Sequence, residues 1–420
     1  PDAARYAGMR SGLIIVAAMA TAGALAGLAG AAQVVEQPLA HARGQGTRMK
    51  SDIPKVLHPL AGKPLLGHVV DCARALQPTS IVIVYGHGGE RVRAAFADQT
   101  DLGWAEQPQQ LGTGHAVQQA MPALQGVDEV LVLYGDVPLT SMDTLARLIR
   151  SGENTVLSLL TVTLEQPAGY GRIVRDEEGR IQRIVEQKDA SEQELVIDEI
   201  NTGILVADRS RLQGWLERLD NDNAQGEFYL TDIVAMAVAD GVDVHSARPA
   251  DRYEVMGVND RLQLAELERH YQRVQAERLM REGVSLRDPA RFDLRGSLTV
   301  GTDVEIDINV LIEGTVSLGN RVRIGANTVI RNSHIAEGVE ILENCVIEDA
   351  SVGQGSRIGP FSRIRPETEL AAQVHIGNFV EIKKSSVGKG SKINHLSYVG
   401  DTSVGQRVNI GAGTITCNYD

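Results

Sequence analysis

Residues 300–324 read VGTDVEIDINVLIEGTVSLGNRVRI, and one aliphatic side chain returns at every sixth position: Val300, Ile306, Ile312, Leu318 and Ile324. The series continues to Ile330, steps by five to Ile335, and resumes with Ile341 and Ile347. Another five-step leads to Val352, Ile358, Ile364, Leu370, Ile376 and Ile382, and the pattern repeats through Val387, Ile393, Val399, Val404, Ile410 and Thr416. A period of six is neither the 3.6 of an amphipathic helix nor the alternation of a half-buried strand. Held in phase over this length, it means a solenoid. It fits short strands with one large inward side chain each, separated by corners at Gly301, Asp307, Gly319, Gly325, Gly353, Gly359 and Gly377. Three hexads close a triangular coil, stacked coils pair their backbones at about 4.8 Å, and the aliphatic rows merge into one core.

This pattern resembles the left-handed parallel β-helix of hexapeptide acyltransferases. Its registration carries a first functional inference. Arg365 and Lys383 each follow an anchor, Ile364 and Ile382, and the two anchors lie one three-hexad coil apart. The two cations should stack on one outer edge, where like charges across neighbouring strands are unfavourable by about 1 kcal/mol even at water-like screening. An anion between them would relieve the repulsion, a phosphate above all; splaying into solvent is the alternative. His395, two residues after inward Ile393, should point outward near Tyr398 and the Lys383 column. Imidazole titrates near neutrality, which suits removing a proton from an attacking amine.

The 420 residues allow two or three domains, and 43% hydrophobic content is enough to build their cores. A net charge of -13 argues against nucleic acid as a main partner. Cys72, Cys345 and Cys417 are isolated, which gives no CxxC zinc motif and suits a reducing compartment. Residues 1–40 hold Arg5, Arg10 and an Ala/Gly/Leu run from Leu13 to Val35, the basic start and apolar body of a signal peptide or span. The soluble-enzyme pattern downstream favours setting this leader apart from the fold, and a cytoplasmic protein without a stable membrane partner.

From residue 41 to 260, strands and helices alternate. Ile81–Tyr85 and Val130–Tyr134 are continuous apolar runs, and amphipathic stretches lie at Arg91–Ala97, Met142–Ile149, Arg209–Leu219 and Tyr229–Ala239. This order argues for a mostly parallel, doubly wound α/β sheet with ligands at the carboxyl ends of its strands. At such an end the run GQGTRM starts with Gly44 and includes Arg48, and Lys55 follows: flexible backbone and positive charge for a triphosphate. Asp136 closes the strand ending at Tyr134, where a carboxylate facing a phosphate loop is a natural magnesium ligand or else a turn former. Gln107, Gln110 and Leu111–Ala116 could read a base edge, or could simply open a helix. Residues 261–285 follow as a linker helix, and the solenoid occupies 286–420.

From Gly44 to Asp420 the chain resembles the bacterial bifunctional N-acetylglucosamine-1-phosphate uridylyltransferase and glucosamine-1-phosphate acetyltransferase family. The motifs are GQGTRM, PKVLHPLAGKP, QLGTGHA, YGDVPL, GYGRI, VEQKDA, EINTGI, NAQGEFYLTD, GVN, LRDPARFDLRG, GPFSRIRP, HIGNFVEIKK and NIGAGTITCNYD. The resemblance implies that Gly44 and Lys55 hold UTP and that Arg48 acts on its phosphates. It assigns Gln107, Gly112 and Thr113 to uridine, and Tyr134, Gly135, Gly171, Glu186 and Asn201 to the nucleotide sugar. Asp136 and Asn259 match ligands of Mg2+. In the solenoid it implies that Arg365 and Lys383 bind the phosphate of glucosamine 1-phosphate, that Tyr398 and Asn409 bind its sugar, and that His395 is the base. Ala412, Asn418 and Tyr419 match acetyl-CoA contacts. It further implies a homotrimer with acetyltransferase sites between subunits, making UDP-N-acetylglucosamine for cell-envelope polymers.

Two departures stand out. Where the family's first strand ends Leu-Ala-Ala-Gly, this chain reads His41-Ala42-Arg43-Gly44, Gln37-Pro38 interrupts the expected strand, and Arg43 would crowd a uracil pocket. The chain also stops at Asp420 inside the solenoid, so acetyl transfer is expected to be weak if it ends there. The alternatives are a nucleotidyltransferase whose β-helix only assembles the trimer, a zinc hydratase using His334, His375 and His395, and a membrane-tethered sugar-binding protein.

Overall fold

The computed structural model describes residues 13–18, 47–86, 88–151 and 156–417. They fall into two units. One comprises the described residues up to Ala265 apart from Leu60–Lys63, and the other comprises Leu60–Lys63 and the residues from Glu266 onward.

In the first unit, continuous apolar runs become strands buried on both faces, as a mostly parallel sheet requires. The strands are β1 Leu13–Ala18, β2 Ser80–Tyr85, β3 Leu102–Glu106, β4 Glu129–Tyr134, β5 Leu157–Thr163, β6 Arg172–Arg175, β7 Ile181–Val185, β8 Glu199–Asp208 and β9 Val244–Ala247. Their main order is β9-β5-β8-β4-β1-β2-β3, with β6 and β7 attached beside β8. Strand β8 runs antiparallel to β4 and β5, while β4, β1, β2 and β3 run parallel. Helices α1 Leu65–Ala75, α2 Gly89–Ala95, α3 Thr113–Ala120 and α4 Met142–Ser151 connect the parallel strands. The later helices are α5 Glu192–Leu195, α6 Arg209–Leu216, α7 Asp232–Ala239 and α8 Arg261–Arg281.

Strand β1 corrects the sequence reading at one point. Leu13–Ala18 belongs to the stretch set apart as a leader, yet it pairs with β2 from Ile14/Ser80 to Ala18/Val84 and with β4 from Leu13/Glu129 to Ala18/Tyr134. The reason is composition. Ile14, Ile15 and Val16 are β-branched and suit a strand flanked on both sides. Gln37-Pro38 and residues 41–44 lie outside the described residues. Among the described residues no helix is long and apolar enough to cross a membrane.

In the second unit the hexad anchors turn inward as the period requires. Each pairs in parallel with the anchor one coil later: Ile306 with Ile324, Ile312 with Ile330, Ile364 with Ile382 and Ile376 with Ile393. The five-steps shorten a coil without breaking the pairing, so Leu318 meets Ile335 and Ile347 meets Ile364. Anchors from Ile306 to Val399 are buried, and Val300, Val404 and Ile410 pack partly buried against them. The first unit's sheet and this left-handed parallel β-helix are the two folds expected from the residues and the resemblance.

Helix α8 closes the start of the solenoid. Ala276 and Leu279 enter its core, and the buried Gln272 amide copies a strand partner. Its Nε2 donates to the Leu294 carbonyl at 2.9 Å, and its Oε1 accepts from the Leu294 N–H at 2.7 Å. The excursion Leu60–Lys63 joins this unit through the Ala61 N–H, which donates to Glu268 Oε2 at 2.6 Å. An aliphatic anchor with no alternative packing leaves a cavity when it is truncated. Ile347→Ala should therefore cost about 2–5 kcal/mol, seen as a lower denaturant midpoint for the solenoid's unfolding; an unchanged midpoint would contradict the closed core.

Candidate functional site

The carboxyl ends of β1, β2, β3 and β4 lie on one edge of the first unit's sheet, and the predicted groups gather there. Asp136 follows β4, and its carbonyl accepts from the Val258 N–H at 2.9 Å, which brings Asn259 alongside. The Asn259 N–H donates to Gln263 Oε1 at 2.7 Å on the first turn of α8. Lys55 opens a 3-10 turn, Lys55–Leu57, and reaches into the same place. Its Nζ lies 2.5 Å from Asp136 Oδ2 and 3.1 Å from Asn259 Oδ1, and the Lys55 and Asp136 side chains are only 6% and 3% exposed.

One buried cation thus bridges two oxygen donors. A buried ion pair is stable only when its geometry offsets the desolvation of both charges, and here the offset is incomplete: Asp136 Oδ1 is buried with no hydrogen-bond partner. Two oxygens converging on one cationic point, with an orphaned carboxylate oxygen beside them, fit a hard divalent ion that takes its remaining ligands from water and phosphate. Among the described residues there is no group of three His, Cys, Asp or Glu able to hold a metal, so His334, His375 and His395 form no zinc site. His334 instead pairs with Ser317 Oγ at 2.6 Å.

Arg48 lies in the 3-10 turn Thr47–Met49, which is tied down by Arg261 Nε donating to the Met49 carbonyl at 3.0 Å. Gly44 lies outside the described residues. Gln107 follows β3 with its N–H on the Tyr85 carbonyl at 2.7 Å. Gly112, just before α3, has φ +113, and a Cβ there would come within 2.5 Å of the Phe228 carbonyl oxygen. Only glycine suits that backbone. Thr113 Oγ1 accepts from the Leu230 N–H at 3.1 Å.

Tyr134, Gly135, Gly171, Glu186 and Asn201 form a neighbouring cluster. Gly135 is buried in the turn after β4, where the Val137 N–H bonds the Tyr134 carbonyl at 3.1 Å. The Asn201 N–H donates to the Gly171 carbonyl at 2.9 Å, and Asn201 Oδ1 accepts from the Gly203 N–H at 3.1 Å. A Cβ on Gly203 would strike the Tyr134 ring at 2.4 Å, and one on Gly171 would stand 3.4 Å from Glu186 Oε1. Burial pushes the Glu186 carboxyl up, although Thr231 donates to it at 3.1 Å. Burial also raises the Tyr134 phenol, and the Glu186 and Asp136 carboxylates add to the effect. Thr231, the residue before α7, and His115, within the Leu111–Ala116 run, also belong to this edge; as a lone hydroxyl and imidazole they carry no individual role in the sequence.

On the solenoid, Arg365 and Lys383 do stack, each directly after its paired anchor. The repulsion expected between them is relieved differently: Arg365 Nη1 bonds Glu381 Oε1 at 2.8 Å, and Lys383 Nζ lies 3.9 Å from Asp401 Oδ2. The acids sit in the next coil, which anchor spacing alone does not reveal. The same column descends through Arg295, Glu313, Arg331 and Glu348, alternating in charge until Lys383 breaks the alternation.

His395 is exposed, with Nδ1 3.4 Å from Asn378 Oδ1 in the coil below. Tyr398 stacks on Glu381 and leans over Gly400, where a Cβ would lie 2.5 Å from its hydroxyl. Tyr398 thus shares a wall with Arg365 and Lys383, and the Leu396 corner separates it from His395. Asn409 stacks on Lys392 on the neighbouring wall, and the Gly413 N–H on the Leu396 carbonyl at 2.9 Å places Ala412 in the coil above His395. Asn418 and Tyr419 lie outside the described residues. Beside these groups runs a groove of about 560 Å3, lined by Phe361, Phe379, Leu396, Glu381 and Tyr398 among others.

Residues 42–198 match the MobA-like NTP transferase domain, and residues 294–378 match the GMPPB C-terminal domain. The chain is 60% identical to the bifunctional protein GlmU of Marinobacter nauticus over 379 residues, 90% of this chain and 83% of that protein. It is 58% identical to the bifunctional protein GlmU of Ralstonia pickettii and 57% identical to that of Pseudomonas putida, with the same coverage. A nucleotidyltransferase sheet followed by a hexapeptide β-helix, matched at this level along most of both chains, settles the relationship: this chain belongs to the bifunctional uridylyltransferase and acetyltransferase family of the GlmU proteins.

Proposed function

We propose that the second unit acetylates glucosamine 1-phosphate with acetyl-CoA, and that the first joins the resulting N-acetylglucosamine 1-phosphate to the uridylyl group of UTP, releasing pyrophosphate. The observation that carries this reading is the meeting of Lys55, Asp136 and Asn259 at the carboxyl edge of the sheet. Asp136 and Asn259 would hold Mg2+, which when bound supplies positive charge to the triphosphate. Gly44, Arg48 and Lys55 hold the nucleotide phosphates, and the two cations oppose charge that builds on the departing pyrophosphate. Gln107, Gly112 and Thr113 take the uracil. Tyr134, Gly135, Gly171, Glu186 and Asn201 take the sugar, whose phosphate oxygen attacks the α-phosphorus in line as the bond to pyrophosphate breaks.

In the acetyl transfer that precedes it, Arg365 and Lys383 hold the sugar phosphate, with Glu381 and Asp401 yielding their cations to it. Tyr398 and Asn409 orient the ring. His395 takes a proton from the amine as nitrogen attacks the thioester carbon, the C–N bond forms and the C–S bond breaks. Ala412, Asn418 and Tyr419 lie against acetyl-CoA. The assembly is a homotrimer in the cytoplasm. It is supported by one corner column that changes character along the solenoid. Asn309, Asn327 and Asn344 bond one another at 3.0 and 3.3 Å, and then Phe361, Phe379 and Leu396 take over, 52%, 57% and 66% exposed. The two phenyl rings stack at 5.5 Å between centroids. A contiguous apolar ladder of this kind suits a protein surface rather than water.

Asp136→Ala should abolish uridylyl transfer and spare acetyl transfer. His395→Ala should do the reverse, with a loss of about 10²–10⁴-fold; loss of both activities from either change contradicts separate centres. Absence of acetyl-CoA consumption by the unaltered protein would reduce the solenoid to a scaffold. Lys55→Met strands the Asp136 carboxylate at a cost of about 3–5 kcal/mol, so its melting temperature should fall, and added Mg2+ should raise it more than in the parent protein. Replacing Phe361 and Phe379 with Ser should shift the mass by light scattering from trimer toward monomer, and an unshifted mass would place the contact elsewhere.

A further inference from the structure

The Gln107 side chain is held through its amide nitrogen. Its Nε2 lies 3.0 Å from the Gly112 carbonyl oxygen and 3.1 Å from His115 Nδ1. A primary amide nitrogen carries two donors, and these two neighbours use both. The Gly112 carbonyl can only accept, so the amide must turn its nitrogen that way, and the same nitrogen then faces His115. Nδ1 is therefore an acceptor and the ring is the neutral tautomer with its proton on Nε2. The Gln119 amide nitrogen lies 3.2 Å from His115 Nε2; with the ring proton on Nε2, that amide is assigned the opposite way round, its oxygen accepting. Burial lowers the imidazole pKa, opposed by a hydrogen bond with the Gln109 backbone, and so favours the neutral ring.

The frame around this relay is rigid. The Gly114 N–H bonds the Phe228 carbonyl at 2.8 Å, the Phe228 N–H bonds the Leu111 carbonyl at 2.7 Å, and the Phe228 ring lies 6.4 Å from the imidazole. Gln107 itself is buried, and among the described residues its Oε1 makes no hydrogen bond. That oxygen is the end of the amide left for a ligand. Uracil carries a hydrogen on N3, whereas cytosine carries a lone pair there. An outward oxygen accepts from the first and repels the second, and an outward nitrogen would reverse the preference.

We propose that His115 is a positioning residue for base selectivity: together with the Gly112 carbonyl it locks the Gln107 amide oxygen outward, so that the pocket takes uracil and rejects cytosine. This rests on the reading of Gln107 as the uracil contact. A site built around one hydrogen bond discriminates strongly because the wrong partner leaves a buried polar group unpaired.

Initial rates with UTP and with CTP, measured across nucleotide concentration in the full chain, test it in His115→Phe, His115→Asn and Gln107→Ala. His115→Phe keeps a ring and removes the acceptor. Its preference for UTP over CTP should fall on the order of tenfold, through KM, with kcat for UTP little changed. His115→Asn, whose Oδ1 can stand in for Nδ1, should restore most of the preference. Retention of the preference in His115→Phe, with loss in Gln107→Ala, overturns the role of His115 and leaves the uracil contact standing. Retention in Gln107→Ala removes the contact and the proposal with it. A poorly folded variant would lose rate with both nucleotides alike, so an unchanged ratio at lower rate also counts against the lock.

Discussion

One large aliphatic anchor per hexad, closed into a prism with a smaller side chain buried two residues before it, as Val304 before Ile306 and Val380 before Ile382, is the constraint from which the outer surface of the solenoid follows. Because Ile347 must lie under Ile364 and Ile364 under Ile382, every residue at a fixed offset from an anchor stacks into a column. The backbone pairing between coils supplies direction, and burial of each anchor contributes about 1.5–3 kcal/mol. A five-step changes the length of a coil and leaves the columns intact, as Leu318 under Ile335 demonstrates. The prism can therefore carry a patterned surface without any side chain there contributing to the fold.

Two columns use that freedom and then abandon their own rule. The column following one anchor row alternates Arg295, Glu313, Arg331, Glu348 and Arg365, with Arg331 bonded to both of its acidic neighbours; Lys383 then stands where an acid would continue it. The corner column bonds asparagine to asparagine in the left-handed conformation, which asparagine tolerates, until Phe361 and Phe379 adopt it at φ 55 and 58. A bulky side chain gains nothing from that backbone by itself. Departures from local preference that bring no structural gain mark functional surface, and both columns depart within the same coils.

The period, its five-steps and the stacking of Arg365 on Lys383 were legible because they depend only on spacing. The acids Glu381 and Asp401 were not, since they pair across coils and an anchor count says nothing about which exposed side chains lean together. In the first unit the strands ending at Tyr85 and Tyr134 announced themselves as apolar runs, and Asp136 followed from its place after one of them. Strand β1 was obscured because its six residues are embedded in a longer Ala/Gly-rich stretch of similar hydrophobicity, and α1 carried no signal strong enough to set it apart from the phosphate-binding motif before it. The contact between Lys55 and Asp136 joins residues 81 apart in sequence, and no local pattern encodes it.

The two units solve opposite electrostatic problems. At the sheet edge the polar groups are already desolvated: Lys55, Asp136, Gln107 and Asn201 are buried before any substrate arrives, so their orientation is fixed and their charges act at low dielectric. Along the prism the corresponding groups stand in water, with the Arg365 and Lys383 side chains 34% and 40% exposed. The general base and phosphate clamp proposed there would lose most of their strength to solvent screening. A convex prism has no interior in which to bury them, since its core is filled by the anchors. Desolvation must come from a second surface laid against the wall, and the apolar ladder beside His395 and Tyr398 is where such a surface has the most area to gain. The proposed assembly and the proposed acyl transfer are thus one physical requirement.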